Sequence, residues 1–330
     1  MTSTNPDVGL LRRLARLTDR DGLIRAAAID HPENYDLLFD SDLANVSFAE
    51  VVESKLELIA AMSGHASALL LDPRASVGQA IVTGAVPGDV GIISGLEDLY
   101  FQTDGSFAPE FGLKPGWEPE KLAALGIDAA KLVVWHRAED RAVEEERLAQ
   151  VAEVARRCHD LHLPLIVEPL WYPVAGESLA DPEVRDRRTA SVIETAGSFR
   201  RAGADIMKVE FPVNLATQAD EADAACAALA EAVDGPWVLL SAGVTFDGFL
   251  PQMAIAARHG ACGFAAGRAI WGDGVGRFDA ARRAEGARVA CERLDRLTEA
   301  LHASPHPAIH HVAPALAAET IGPDWYRTAG

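Results

Sequence analysis

The chain has 330 residues, of which 49% are hydrophobic and 24% charged, and its formal net charge is −19. That is enough chain for one large domain with a sizeable core. The acidity argues against a nucleic-acid or anionic-membrane surface, since either demands a basic face, but it leaves room for an anionic small substrate held by a few local donors.

In chain order, residues 1–20 read as a helix ahead of a repeat, with no apolar core of signal-peptide length. The first apolar run is LIRAAAID (23–30), followed by SFAEVVESKLELIAAMSG, a helix opened by Ser47 and Glu50 at capping-box spacing with Val51, Leu58 and Ile59 on one side. HASALLLDP (65–73) and VGIISGLE (90–97) come next, then a long loop rich in aromatics and glycine, 98–117, and a short helix EPEKLAALG stopped by Gly126. AAKLVVWH (129–136) leads into the amphipathic VEEERLAQVAEVARRCHDL, and PLIVEPLW (164–171), ADIMKVEFP (204–212), PWVLLSAG (236–243) and GFAAGRAIW (263–271) complete the runs before a last helix, DAARRAEGARVACERLDRLTEAL. A Pro- and His-rich arm, 303–330, is expected to pack on the barrel or on a neighbouring subunit.

Eight near-continuously apolar runs, each bounded by polar, Gly or Pro residues and separated by helices, are what parallel strands buried on both faces look like. The expectation is a (β/α)8 TIM barrel spanning about residues 20–302 within a single 1–330 domain, with an N-terminal helix and a C-terminal arm. An open doubly wound sheet is the alternative, disfavoured because no G-x-G-x-x-G opens the first helix. No stretch approaches 18 apolar residues, so no membrane span is expected. Cys158, Cys226, Cys262 and Cys291 are scattered, without a C-x-x-C pair, and read as reduced thiols of a cytoplasmic protein rather than disulfides or metal ligands.

Polar residues inside apolar strands need a reason. There are five: Asp30 ends the first run, Lys131 lies in the fourth, Glu168 in the fifth, and Lys208 with Glu210 in the sixth. They are expected to converge on the C-terminal end of the barrel, where TIM-barrel chemistry sits. A buried ion-pair network without chemistry would account for them too. A buried lysine with a second ammonium about 5 Å away meets repulsion of roughly 3 kcal/mol at an effective dielectric of about 20, which favours the free amine of one of the two. Such an amine adds to a ketone, loses water and becomes an iminium, an electron sink for cleavage of the adjacent C–C bond. Glu168 or Asp30 could take the proton from the hydroxyl whose carbon becomes the aldehyde. At the ends of the last two strands, Ser241 and Gly243, and Gly267 and Arg268, offer a hydroxyl, close backbone approach and a bidentate cation, as a phosphate or sulfonate site requires.

These residues resemble a known family. ADIMKVEFPVN in the sixth strand, with LSAGV, GRAIW, the AID of the first strand and the IVEP strand, is similar to the tagatose-1,6-bisphosphate aldolase family, which includes sulfofructose-phosphate aldolases, over about residues 20–300. The resemblance implies a class I, Schiff-base aldolase with Lys208 as the Schiff-base lysine, Lys131 as the second active-site lysine, Glu168 as acid/base and Asp30 beside the reacting carbons. Ser241, Gly243, Gly267 and Arg268 would hold the phosphate of the dihydroxyacetone-phosphate half, and no cofactor or metal is implied. The family typically follows its first-strand Asp with Gln-Arg, whereas this chain reads Asp30-His31-Pro32-Glu33-Asn34-Tyr35. The missing Arg favours a substrate whose far end is neutral or differently held; Arg187 and Arg188 are candidates to compensate, and His31 joins the substrate-binding candidates.

Other features are discounted. His306, His310 and His311 lie in Pro-rich surroundings without nearby Asp, Glu or Cys and read as surface rather than metal ligands. Trp171, Tyr172 and Trp271 sit at strand ends, as pocket wall or packing. The expected function is reversible cleavage of a ketose phosphate to dihydroxyacetone phosphate and an aldehyde by a homo-oligomer. A transaldolase-like or non-phosphorylated-sugar reaction on the same lysine, and a barrel that binds sugar phosphates without turnover, are the alternatives.

Overall fold

The computed structural model describes residues 7–98, 112–309 and 313–325. Eight parallel strands close a barrel in sequence order: β1 (Ile24–Ile29), β2 (Ala68–Leu71), β3 (Gly91–Gly95), β4 (Ala129–Trp135), β5 (Leu165–Leu170), β6 (Ile206–Val209), β7 (Trp237–Leu240) and β8 (Gly263–Ala266), with β8 pairing back onto β1. Each of the eight apolar runs contains one of them, so the TIM barrel read from the sequence is the fold observed.

Alternation along the strands divides the core in two. Residues such as Met207, Val209, Leu69 and Leu71 face outward into the layer shared with the helices. Their neighbours point inward, where Ile24, Ala26, Ala28, Leu70, Ile93, Ala129, Ile166, Ile206 and Val238 form a separate apolar plug inside the barrel. The inward positions one step further toward the C-terminal end are Asp30 after Ala28, Lys131 after Ala129, Glu168 after Ile166 and Lys208 after Ile206. The charged layer is therefore built directly on an apolar floor, with a void between them that has room for about one water.

The barrel's other end is closed. The helix Val8–Leu17 runs under it, capped by Asp7, which accepts from Leu10 N at 2.8 Å. Leu17 is fully buried against the inner plug, its carbonyl accepts from Ser67 Oγ at 2.7 Å, and Arg16 pairs with Asp128 at 2.6 Å. The arm begins on this same face: Ala308 N donates to Gly22 O at 2.8 Å and Ile309 is buried. Residues 99–111 of the long loop, with His310 and His311, lie outside the described residues, and His306 is exposed. Among the described residues no helix is long and apolar enough to cross a membrane, and all four cysteines are free.

Candidate active site

Lys131 is the hub of the charged layer. Its Nζ lies 3.0 Å from Asp30 Oδ2, 2.7 Å from Glu97 Oε1 and 3.0 Å from Glu168 Oε2, with its side chain 4% exposed. Burial works against its charge, but Asp30, Glu168 and Glu97 outweigh burial and hold the ammonium well above the usual lysine range. Lys131 is therefore held as a cation by three carboxylates.

Lys208 is equally enclosed, at 5% exposure, yet differently held. Among the described residues its one hydrogen-bond partner is Glu168 Oε2 at 2.9 Å. Glu168 thus bridges the two amines through a single oxygen, and the two nitrogens are at most 5.9 Å apart, the sum of these two contacts. Burial pushes the Glu168 carboxyl up, but the Lys131 and Lys208 charges prevail and keep it below the ordinary carboxylate range. Asp30 behaves alike: burial opposes ionisation, and Lys131, His31 and Lys208 together hold it far below its usual value.

The sequence reading missed Glu97. It follows the end of β3 by two residues, and its second oxygen accepts from Val133 N at 3.2 Å. Gly95 makes this possible, because a Cβ there would stand 2.7 Å from Glu97 Oε1. The signal was available, since Glu97 ends its apolar run as Asp30 ends the first.

Glu210, by contrast, does not join the cluster. Its strand has ended at Val209, and its carboxylate turns to Trp171 N at 3.1 Å and Arg188 Nη2 at 3.2 Å. Arg188 also donates to the carbonyls of Phe211 and Pro212, and Arg187 pairs with Glu177 at 2.8 Å, so both arginines are already committed. The strand-end tryptophans pack: Trp271 donates to Ala28 O at 2.9 Å, and Trp171 lies under Arg137. A second buried pair, Lys55 with Asp72, ties the helix Phe48–Met62 to the ends of β1 and β2 through Ile29 O at 3.2 Å; it belongs to the outer layer, away from the cluster.

The four proposed anion-binding residues come together. Ser241 is buried at the end of β7, Ala242 and Gly243 turn with φ of 46° and 77°, and Arg268 Nη2 lies 3.5 Å from where a Gly243 Cβ would stand. Among the described residues Arg268 has no carboxylate partner, unlike Arg187 and Arg188. Gly267 has no space for a side chain: a Cβ would meet His31 Cε1 at 2.8 Å and Ala28 O at 2.9 Å. His31 thus sits between this loop and Asp30, its Nδ1 3.4 Å from Asp30 Oδ1, its ring edge-on to Trp271. Burial pushes the imidazole down to about 4, Lys208 and Arg268 add to the effect, and Asp30 opposes it, so the ring is neutral at physiological pH.

The layer therefore brings together a buried amine, a carboxylate shared between two lysines, a fixed cation and an adjoining turn beside Arg268. The family model for DeoC/LacD family aldolases matches residues 25–273, which contain every one of these groups. The chain is 28% identical to tagatose 1,6-diphosphate aldolase 1 of Enterococcus faecalis over 283 residues, 80% of this chain and 84% of that one. It is 25% identical to tagatose 1,6-diphosphate aldolase of Streptococcus pneumoniae, over 88% of this chain and 94% of that one. In fold it matches an archaeal fructose-1,6-bisphosphate aldolase whose catalytic lysine carries a carbinolamine intermediate, with TM-score 0.58, 17% identity and 87% and 99% of the two chains covered. It also matches fructose-bisphosphate aldolase of Plasmodium falciparum, with TM-score 0.67, 13% identity and 90% and 95% covered. With the family model spanning most of the barrel, from β1 to just beyond β8, the chain belongs to the DeoC/LacD family of aldolases.

Proposed function

We propose that this aldolase works as a class I enzyme, cleaving a ketose phosphate reversibly to dihydroxyacetone phosphate and an aldehyde through an iminium on Lys208. The carrying observation is the contrast between two buried lysines: three carboxylates fix the charge of Lys131, whereas Lys208 has, among the described residues, a single partner, Glu168 Oε2, at 2.9 Å.

Lys208 Nζ adds to the substrate ketone, and Glu168 takes the proton the nitrogen gives up, then returns it to the hydroxyl that leaves as water. The iminium then accepts the electron pair of the neighbouring C–C bond as that bond breaks, while Glu168 or Asp30 takes the proton of the hydroxyl whose carbon becomes the aldehyde. The aldehyde departs, the enamine is protonated, and hydrolysis frees dihydroxyacetone phosphate and the amine. Lys131 holds Asp30, Glu97 and Glu168 in place throughout. The phosphate rests against Ser241, Gly243, Gly267 and Arg268, where a guanidinium without a carboxylate partner among the described residues meets a turned backbone. Both the bisphosphate substrates named for the relatives and monophosphates fit this reading. The four free thiols favour a reducing cytoplasm, and a homo-oligomer is the assembly we assign.

Borohydride reduction in the presence of dihydroxyacetone phosphate should add one reduced adduct to the intact mass, mapping to the peptide that carries Lys208. Lys208→Met should abolish both adduct and cleavage. Full activity in that variant, or an adduct at another lysine, refutes the assignment.

A further inference from the structure

The proposed phosphate site lies at the ends of β7 and β8, and in a closed ring of eight strands the positions facing those two are β3 and β4. A ketone carbon held by Lys208 carries two carbon substituents. With the phosphate-bearing one directed to β7 and β8, the other, across which the bond breaks, is directed to the far wall. There the charged layer consists of Glu97, Lys131 and, on β5, Glu168. The inward positions above it are Val133 and Trp135 on β4 and Leu170 on β5, since side chains two apart share a face. Parity holds here, unlike at Glu210, because Trp135 and Leu170 are still paired in register and His136 N continues the ladder to Leu170 O at 3.1 Å.

Among the described residues these three side chains pack in neither apolar cluster of the barrel, whereas their outward neighbours Leu132, Val134 and Val167 all belong to the outer one. Val133 is buried, and Trp135 and Leu170 are half-buried, with the Trp135 ring edge-on to Tyr172 at 6.4 Å between centroids. Val133 and Leu170 present only carbon. The polar groups below them are engaged: Glu168 Oε2 is shared by two lysines, and Glu97 divides its oxygens between Lys131 Nζ and Val133 N. A hydroxyl set against this wall would leave water without gaining a partner. A methylene there would leave water at a gain and cover the exposed carbon of the wall as well.

We infer that Val133, Leu170 and the Trp135 ring form an apolar subsite for the aldehyde half, so that the enzyme takes an aldehyde whose carbon next to the carbonyl bears hydrogen rather than hydroxyl. This rests on the reading of Lys208 and the phosphate site given above. It narrows the substrates to ketose phosphates that lack a hydroxyl on the carbon beyond the one that becomes the aldehyde. The three residues line the half that leaves and do not touch the atoms that react, so they set specificity and not the chemical step.

Run in the direction of bond formation with saturating dihydroxyacetone phosphate, the reaction compares acceptors directly. Propanal and glycolaldehyde are equal in size and differ by a methyl against a hydroxyl. In the unaltered enzyme kcat/KM for propanal should exceed that for glycolaldehyde about tenfold. It should exceed that for acetaldehyde about fourfold, as one more buried methylene gives. Val133→Thr keeps the shape of the wall and adds a hydroxyl, and should bring the ratio of propanal to glycolaldehyde within about threefold of one. Leu170→Asn makes the same change from a half-exposed position and stands in if Val133→Thr does not fold. Each ratio is taken within one protein, so a general loss of activity cancels. Glycolaldehyde used as well as propanal or better, glyceraldehyde 3-phosphate preferred to propanal, or a ratio unmoved by the substitutions would overturn the subsite. Deuterium exchange into dihydroxyacetone phosphate in D2O needs Lys208 and the phosphate site but no aldehyde. Its absence in the unaltered enzyme would remove the Lys208 reading beneath, whereas exchange with the wrong acceptor preference removes the subsite alone.

Discussion

Replacing Lys131 by methionine keeps the bulk of the side chain and removes the one charge that three carboxylates share. Asp30, Glu97 and Glu168 each lie within 3.0 Å of Lys131 Nζ, so the contacting oxygens are at most about 6 Å from one another. At an effective dielectric of about 20, two such charges repel by about 3 kcal/mol, on the order of two pKa units. Breaking a buried pair by removing one partner typically costs about 3–5 kcal/mol. For 330 residues at roughly 2.1 cal/mol/K each, that lowers Tm by about 4–7 °C at pH 7.5.

The pH dependence is the sharper test. In the intact protein Asp30 and Glu168 lie below their ordinary values, so they stabilise the fold above about pH 4 and lose that contribution only as pH falls through the still lower folded values. In Lys131→Met the sign reverses. Unshielded repulsion raises the folded values above the ordinary carboxylate range, and the variant gains stability relative to its unfolded chain as pH falls from 7 toward 5. Each proton taken up is worth up to about 1.4 kcal/mol per pH unit, so the gap in stability between the two proteins should narrow on acidification. Calorimetric melts of both proteins from pH 7.5 to 5 measure it directly. A gap that stays constant or widens at pH 5 would mean that Lys131 does not hold these carboxylates ionised.

Arg268→Ala should raise KM for dihydroxyacetone phosphate in the exchange assay about 10- to 100-fold with a smaller change in kcat, because a charge-assisted contact to phosphate is lost. A KM within twofold of the original would remove Arg268 from the anion site. Gly267→Ala must push His31 or the Ala28 carbonyl aside, since its Cβ would arrive under 3.0 Å from both. It should therefore lose cleavage at least tenfold and melt several degrees lower, as an overpacked core position does. Unchanged melting and rate would show that the loop after β8 has slack here.

Much of this site was readable in advance because the barrel enforces a rule. Polar residues two positions beyond Ala28, Ala129, Ile166 and Ile206 had to share the inner face with them, so Asp30, Lys131, Glu168 and Lys208 could be placed together from strand parity alone. Parity failed for Glu210, because its strand stops one residue earlier and the chain is then free to turn the carboxylate to Arg188. Glu97 escaped notice because it lies two residues beyond the end of its strand, and nothing local shows that the missing Cβ of Gly95 leaves its carboxylate a path inward. Lys55 escaped because a lysine in an amphipathic helix reads as solvated. Its place four residues after Val51, on the apolar side with Leu58 and Ile59, was the available clue. Distances between loops, such as that of His31 to the Gly267 turn, depend on how β8 closes against β1 and have no counterpart in any local pattern.

The closed underside of the barrel sets a condition on turnover. With Leu17 stoppering that end and an oily plug beneath the charged layer, reactants and both products share one doorway. Whichever fragment is covalently tethered must leave second, and the untethered aldehyde first. The same seal gives protons no route downward, so a proton borrowed by a carboxylate during bond breaking has to be handed back at the same rim before the next cycle can start.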